Sequence, residues 1–111
     1  MESKKIKFTY QDKDITLEYT RSTVEQMERV GFRIDELGDK PMTQVKLLVH
    51  GAFLANHRKV KAETIDKIYE MISNKEEFVG KLAEMYNETR ETLFAEPEEG
   101  DEKNLDWKTN W

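Results

Sequence analysis

The chain has 111 residues with no cysteine, and 37% of them are charged, for a formal net charge of −5. This length predicts one domain that buries roughly 60–70% of its unfolded surface, and the absence of cysteine excludes disulfides and thiolate metal sites. The start, MESKKIKFTY, lacks the apolar core of a signal peptide, and no apolar run approaches the ~18 residues of a membrane span, so we expect no export and no membrane partner.

Residues 5–19 predict a β-hairpin. Polar and apolar side chains alternate on both sides of the short polar link QDKD, and this alternation is typical of strands with one buried face. Because two strands alone are marginal in water, we expect the hairpin to pack on helices or to gain another strand. Its apolar face consists of Ile6, Phe8, Tyr10, Ile15, Leu17 and Tyr19.

A short helix is predicted near residues 22–30. Ser22 and Glu25 have the spacing of a capping box, in which each side chain bonds to the other residue's backbone N–H. Gly31 stands where a left-handed C-terminal cap is expected. The connector that follows, FRIDELGDK, is predicted to contact the core through Phe32, Ile34 and Leu37.

An apolar stripe at helical spacing predicts a central helix over residues 41–57. Pro41 suits the first helical position. Gly51, which costs about 1 kcal/mol against alanine within a helix, predicts close approach of a neighbouring element. Leu47 and Leu54 lie outside the stripe, so we expect the helix to be buried on more than one side. The stripe itself consists of Val45, Leu48, Val49, Ala52, Phe53 and Asn56.

Two further helices are predicted near residues 62–73 and 75–94. Asn74 is expected to cap the second of them, and Glu76 and Glu77 in its first turn suit the helix dipole. The side chains assigned to the core from these helices, together with the core methionines, are Ile65, Ile68, Tyr69, Ile72, Phe78, Leu82, Tyr86, Thr89, Leu93, Met27, Met71 and Met85.

The last sixteen residues, EPEEGDEKNLDWKTNW, predict an acidic tail over residues 96–111. They hold six acidic side chains against two lysines, a net charge of −4, whereas residues 1–95 hold 17 acids and 16 bases. A nearly neutral body is a poor electrostatic footprint for nucleic acid, so we expect no nucleic-acid partner. The sequence therefore predicts a single α+β domain over residues 1–95, an N-terminal β-hairpin packed against about four helices, followed by this tail.

No catalytic pattern is visible in the sequence. The five glycines are scattered singly, and no nucleophile motif or isolated carboxylate pair stands out. His50 and His57, seven residues apart on the predicted central helix, are about 10 Å apart in rise, too far for neighbouring metal ligands. The basic run NHRKVK is interpreted as a solvated helix end. We expect no enzymatic activity, no metal and no cofactor.

Five stretches of the chain carry a family resemblance: TVEQMERVGF, KPMT, GAFLANHR, IDKIYEMISNKEEFVGKLAEMYNE and DWKTNW. In this order they resemble the small tail assembly chaperones of long-tailed bacteriophages and prophages of Gram-positive bacteria. The resemblance runs from the hairpin to the last residue. It is most specific at GKLAEMYNE followed by an acidic tail that ends in tryptophan.

The resemblance implies a non-enzymatic chaperone. Such proteins bind the tape-measure protein, a long apolar helical chain, and keep it soluble until tail-tube subunits polymerise around it. The tape-measure protein is then the expected partner and the tail-tube protein a further candidate, in the cytoplasm of the bacterial host and outside the mature virion. Two other interpretations remain open: a nucleic-acid-binding phage regulator and a structural virion subunit.

Six apolar residues are candidates for partner binding. Leu47, Leu54 and Phe94 could line a partner groove or simply belong to the core. In LDWKTNW, period-two alternation places Leu105, Trp107 and Trp111 on one face, although both tryptophans would also share a helix face. We expect residues 96–104 to be a spacer that delivers this segment as an anchor strand to the chain's own hairpin, to a neighbour's or to the client. The alternative is a disordered tail with idle tryptophans.

Self-association is also expected from the implied function. A chaperone that coats a long client gains avidity by presenting several copies.

Overall fold

The computed structural model describes residues 4–96 and 105–111. It has an α+β fold in which a two-stranded antiparallel hairpin is followed by four helices, as predicted. Residues 97–104, most of the predicted spacer, lie outside the described residues. Nowhere in the described ranges is a helix long and apolar enough to cross a membrane. The elements are β1 (Ile6–Tyr10), β2 (Lys13–Leu17), α1 (Arg21–Arg29), α2 (Pro41–Ala52), α3 (Ala62–Met71) and α4 (Lys75–Glu91), with short 3-10 turns at Ile34–Glu36 and Thr92–Phe94.

The hairpin turn is shorter than the predicted link QDKD. Only Gln11 and Asp12 form it, with φ values of 49° and 63°, while Lys13 and Asp14 already pair with β1. Positive φ at both central residues defines a type I′ turn, whose twist matches the twist of the flanking strands. Asparagine and glycine are the residues that such a turn prefers, so this sequence holds its turn at a conformational cost.

Replacing Gln11 by asparagine together with Asp12 by glycine is therefore expected to stabilise the protein. The free energy of unfolding should rise by about 1 kcal/mol, because Asn-Gly adopts the two positive φ values with little strain. Urea denaturation measures this change. Asp12→Ala is the control and should destabilise, because alanine lacks the short polar side chain whose local hydrogen bonds let aspartate adopt a positive φ. A less stable Asn-Gly variant would contradict the turn type.

Helix α2 lies at the centre of the fold and packs on α1, α3 and α4. Its stripe residues Leu48 and Ala52 are fully buried, and the hairpin closes over the same core through Leu17. Most of the predicted core positions thus meet in one cluster, which draws on both strands and all four helices. Its buried members are Ile15, Leu17, Tyr19, Val24, Met27, Phe32, Leu48, Val49, Ala52, Phe53, Ile65, Ile68, Leu82, Met85 and Tyr86.

Helix α1 begins earlier than predicted. Its capping box joins Thr20 and Thr23, in which each side-chain oxygen accepts the other residue's backbone N–H, at 3.1 and 2.9 Å. The predicted box of Ser22 and Glu25 is therefore wrong. Tyr19 is buried at the end of the hairpin, which places Thr20 at the N-cap, and the helix begins directly after Thr20.

The predicted left-handed cap at the end of α1 is confirmed. Gly31 has a φ of 99°, its N–H donates to the Glu28 carbonyl at 3.1 Å, and the Phe32 N–H donates to the Met27 carbonyl at 2.9 Å. These two bonds form a Schellman motif. The motif directs Phe32 into the core, where that side chain is buried.

Helix α2 ends at Ala52 rather than at residue 57. Phe53 is buried, and the next residues form turns closed by the His57 N–H donating to the Phe53 carbonyl at 2.8 Å. Asn56 therefore does not belong to the helical stripe. The chain leaves the helix here because the side chains of Asn56 and His57 bond to the hairpin instead.

The boundary between α3 and α4 also differs from the prediction. Helix α3 ends at Met71, and that side chain is exposed rather than in the core. Asn74 occupies the N-cap position of α4, as predicted, with a φ of 55°, but its side chain makes no cap hydrogen bond. The Lys75 ammonium donates to the Glu70 and Ile72 carbonyls, at 2.8 and 3.0 Å. These bonds satisfy carbonyl groups at the end of α3.

Candidate functional surfaces: the free hairpin edge and the α1–α4 groove

The outer edge of β2 is covered around Thr16. Thr16 donates its N–H to Nε2 of His57 at 2.9 Å, and its carbonyl accepts from the Asn56 side chain at 3.3 Å. Two residues further along the chain, the Glu18 N–H donates to the Ala52 carbonyl at 3.2 Å. The segment after α2 therefore supplies hydrogen-bond partners to the backbone of this edge, as a neighbouring strand would.

The outer edge of β1, in contrast, is not covered by any of the described residues. In a hairpin with a two-residue turn, Lys7 and Thr9 occupy the positions whose backbone groups point away from the partner strand. Among the described residues, no hydrogen bond reaches these outward N–H and C=O groups. Such an edge is a template for a further strand.

The core-facing side of β1 is also incompletely covered. Ile6, Phe8 and Tyr10 pack against the core but are only half-buried, whereas Ile15 and Leu17 on β2 are buried. The apolar face of the sheet thus extends past the helices toward the free edge.

A second surface is a groove between α1 and the end of α4, with a volume of about 560 Å³. Leu93 and Phe94 line it, and their side chains are 66% and 84% exposed. The groove is lined by Arg21, Val24, Glu25, Glu28, Asn87, Thr89, Arg90, Glu91, Leu93 and Phe94.

The exposure of Leu93 contradicts its assignment to the core. The regular helix ends at Glu91 and continues as a 3-10 turn, which advances about 120° per residue instead of 100° and so rotates Leu93 off the buried face. Arg21 fixes this turn from α1. Its Nε donates to the Thr92 hydroxyl at 3.0 Å, and its guanidinium also donates to the Thr92 carbonyl.

The six predicted partner-binding residues fall in different places. Leu47 is half-buried against the core, and Leu54 is half-buried beside a cavity of about 720 Å³ that it lines with the basic loop 55–61. Phe94 lies at the groove. The remaining three are exposed in a segment with neither helix nor strand: Leu105, Trp107 and Trp111, at 89%, 81% and 97%.

The two histidines make unrelated contacts. His50, on α2, bonds through Nε2 to Oδ1 of Asp66 on α3 at 2.7 Å, while His57 serves the hairpin edge. The hydrogen bond from His50 lowers the pKa of the Asp66 carboxyl, and the charge of Lys46 lowers it further. Across residues 4–96 and 105–111, no group of three histidine or acidic side chains is placed to hold a metal ion.

Sequence reasoning missed two parts of these surfaces. Which of the two hairpin edges stays free has no local signal, because covering of the β2 edge depends on residues forty positions away. Leu93 has the spacing of a core residue, and only the change of helical pitch after Glu91 exposes it. The basic and acidic residues around the groove were visible only as part of a generally charged surface.

The whole chain, residues 1–111, matches the family DUF5055, described as a domain of unknown function. The chain therefore belongs to that family. Comparison with curated proteins gives no match, and comparison with solved structures gives none.

Proposed function

We propose that this protein is a phage tail assembly chaperone that binds helical segments of the tape-measure protein and keeps that protein soluble during assembly of the tail tube. The family resemblance of its sequence supports the client. The observation that carries the binding mode is the pair of exposed side chains, Leu93 and Phe94, that line an open groove.

The groove has the character of a site for an amphipathic helix. Its lining includes the buried apolar side chain of Val24 and the exposed side chains of Leu93 and Phe94. Exposed apolar side chains beside a groove mark interaction sites. An amphipathic helix docks by placing its apolar stripe in such a groove, so the long apolar helices of a tape-measure protein fit this chemistry.

The charges around the groove suit the flanks of such a helix. Arg21 and Arg90 lie beside three glutamates, Glu25, Glu28 and Glu91, so both signs are available. Mixed charges at the rim contribute orientation and association rate more than affinity. The apolar pair supplies the anchor.

The role is non-enzymatic, in the cytoplasm of the bacterial host, and the protein is absent from the finished virion. The tail-tube protein is a further partner, encountered when it replaces the chaperone on the client.

Replacing Leu93 and Phe94 by serine together is expected to weaken client binding by about 30-fold, the loss of a hot-spot anchor worth about 2 kcal/mol. Co-expression with the tape-measure protein of the same genome measures this as loss of the co-purifying complex and of soluble client. Because both side chains are exposed, stability should change by less than about 0.5 kcal/mol each.

Met71→Ser is the matched control. Met71 is also an exposed apolar side chain on the helical body, but it does not line the groove. It should leave binding unchanged. A double serine variant that still solubilises the client fully would refute the groove. Tight, strongly salt-dependent DNA binding in a mobility-shift titration, or this chain found in purified virions, would refute the chaperone role.

A further inference from the structure

The free edge of β1 and the C-terminal segment 105–111 have complementary properties. The edge offers backbone groups at Lys7 and Thr9 to which none of the described residues bonds, and a half-covered apolar face. The segment offers a period-two sequence whose apolar residues are exposed. We propose that two copies of this chain form a dimer by exchanging these segments, each adding residues 105–111 as a third strand beside β1 of the other copy.

The alternation of the segment matches the two faces of the hairpin. With Trp107 and Trp111 on the face of Phe8, the indoles cover the part of the core that the helices leave half-exposed. Asp106 then falls on the solvent face, which carries Lys7. Aromatic side chains beside other apolar residues on one face of a sheet are the pairs that stabilise strand association.

A second copy, rather than the chain's own tail, is the occupant. In the single chain the segment is exposed and forms no strand, so its own edge is not filled by it. The chain between Glu96 and Leu105 spans at most about 30 Å, enough to reach a neighbouring molecule in contact.

The area available is sufficient for a stable dimer. Each tryptophan buries about 150–250 Å² when docked. Reciprocal exchange buries four, or about 600–1,000 Å², with a comparable area on the receiving edges. The total of about 1,200–2,000 Å² is that of a standard specific interface.

The charges of the two surfaces are complementary as well. Lys7 lies on the solvent face of β1, at the free edge, while residues 96–111 carry a net charge of −4. Opposite charges on the two surfaces favour encounter between copies and align the incoming strand.

The test uses the full chain in sedimentation velocity and intrinsic fluorescence. Both tryptophans of the protein lie in this segment, so the emission reports on it alone. We expect a dimer that dissociates on dilution, and an emission blue shift that appears in step with dimer formation. A blue shift independent of concentration would place the segment on its own edge and overturn the proposal. Water-like emission at all concentrations would overturn it too.

Variants locate the contact. Thr9→Pro removes the outward N–H at an edge position where proline is tolerated, and Trp107→Ala with Trp111→Ala removes the anchors. Each should weaken dimerisation by about 30-fold or more, the factor for loss of a hot-spot anchor. Thr9→Ala keeps the N–H, and Asn110→Ala alters the opposite face of the segment, so both should dimerise normally.

Circular dichroism separates these effects from loss of folding. The four variants should keep the helical spectrum and the unfolding transition of the unmodified monomer. If Thr9→Pro alone is unstable, Lys7→Pro tests the same edge. Dimerisation that survives loss of either N–H in a folded variant overturns the proposal. None of these changes touches Leu93 or Phe94, so the result is independent of client binding.

Discussion

Replacing Tyr19 by alanine is expected to lower the free energy of unfolding by about 3–5 kcal/mol, the range for truncating a buried aromatic side chain. Tyr19 is buried at the end of the hairpin and contacts Tyr86 of α4 edge-on, with the ring centroids 5.7 Å apart. Its hydroxyl donates to the Leu48 carbonyl of α2 at 2.6 Å, and its own carbonyl accepts from the Thr89 hydroxyl at 3.3 Å. Tyr19 therefore joins the hairpin to both α2 and α4.

Tyr19→Phe is the matched control because it keeps the ring and removes only the hydroxyl. It should cost about 1 kcal/mol, the net contribution of one hydrogen bond. Urea denaturation at neutral pH measures both variants. Similar losses in the two variants would mean that the hydroxyl, rather than the ring, supplies the stabilisation.

Ionisation of the same residue is expected to lower the stability of the folded protein at alkaline pH. Burial raises the pKa of the Tyr19 phenol above its ordinary value, and the neighbouring Tyr86 raises it further. The folded state therefore holds this proton more tightly than the unfolded state, in which tyrosine titrates near pH 10. Stability from this group is complete below about pH 10 and is lost as the pH rises further. Tyr19→Phe should flatten this part of the stability profile, and an unchanged slope would contradict the assignment.

Identical glycine-to-alanine changes in α2 and α4 are expected to have opposite signs. A Cβ built on Gly51 lies 2.6 Å from Cε and 2.8 Å from Cγ of Met27, whose side chain is buried. Overpacking of this kind costs about 1–3 kcal/mol. Because alanine regains only about 1 kcal/mol of helix propensity, Gly51→Ala should destabilise the protein by about 1 kcal/mol or more.

Gly80→Ala is the matched variant in α4. Gly80 is exposed, and a Cβ there would meet nothing within 4 Å. The gain in helix propensity is therefore unopposed, and the free energy of unfolding should rise by about 1 kcal/mol. Thermal or urea unfolding of the two variants measures the difference. Stabilisation by both substitutions would show that Met27 moves aside freely, and the close approach of α1 to α2 would then not depend on Gly51.

The local patterns of the sequence determined the elements of this protein. Period-two alternation determined the two strands and their buried face, and stripes at helical spacing determined four helices and most of the core. Gly31 determined the end of α1, because only a residue that accepts a positive φ closes a Schellman motif there. Gly51, a glycine within a helical stripe, likewise indicated that another element comes close. These features depend on neighbours within a few residues, which the sequence displays directly.

The tertiary structure alone decided where the helices end and which surfaces stay open. Helix α2 stops at Ala52 because Asn56 and His57 bond to a strand forty residues earlier. That contact covers the β2 edge of the hairpin, whereas the β1 edge stays free. Leu93 and Phe94 are exposed because the chain tightens into a 3-10 turn held by Arg21. Contacts across long chain separations set these outcomes, and such contacts leave no periodic trace in the residues that make them.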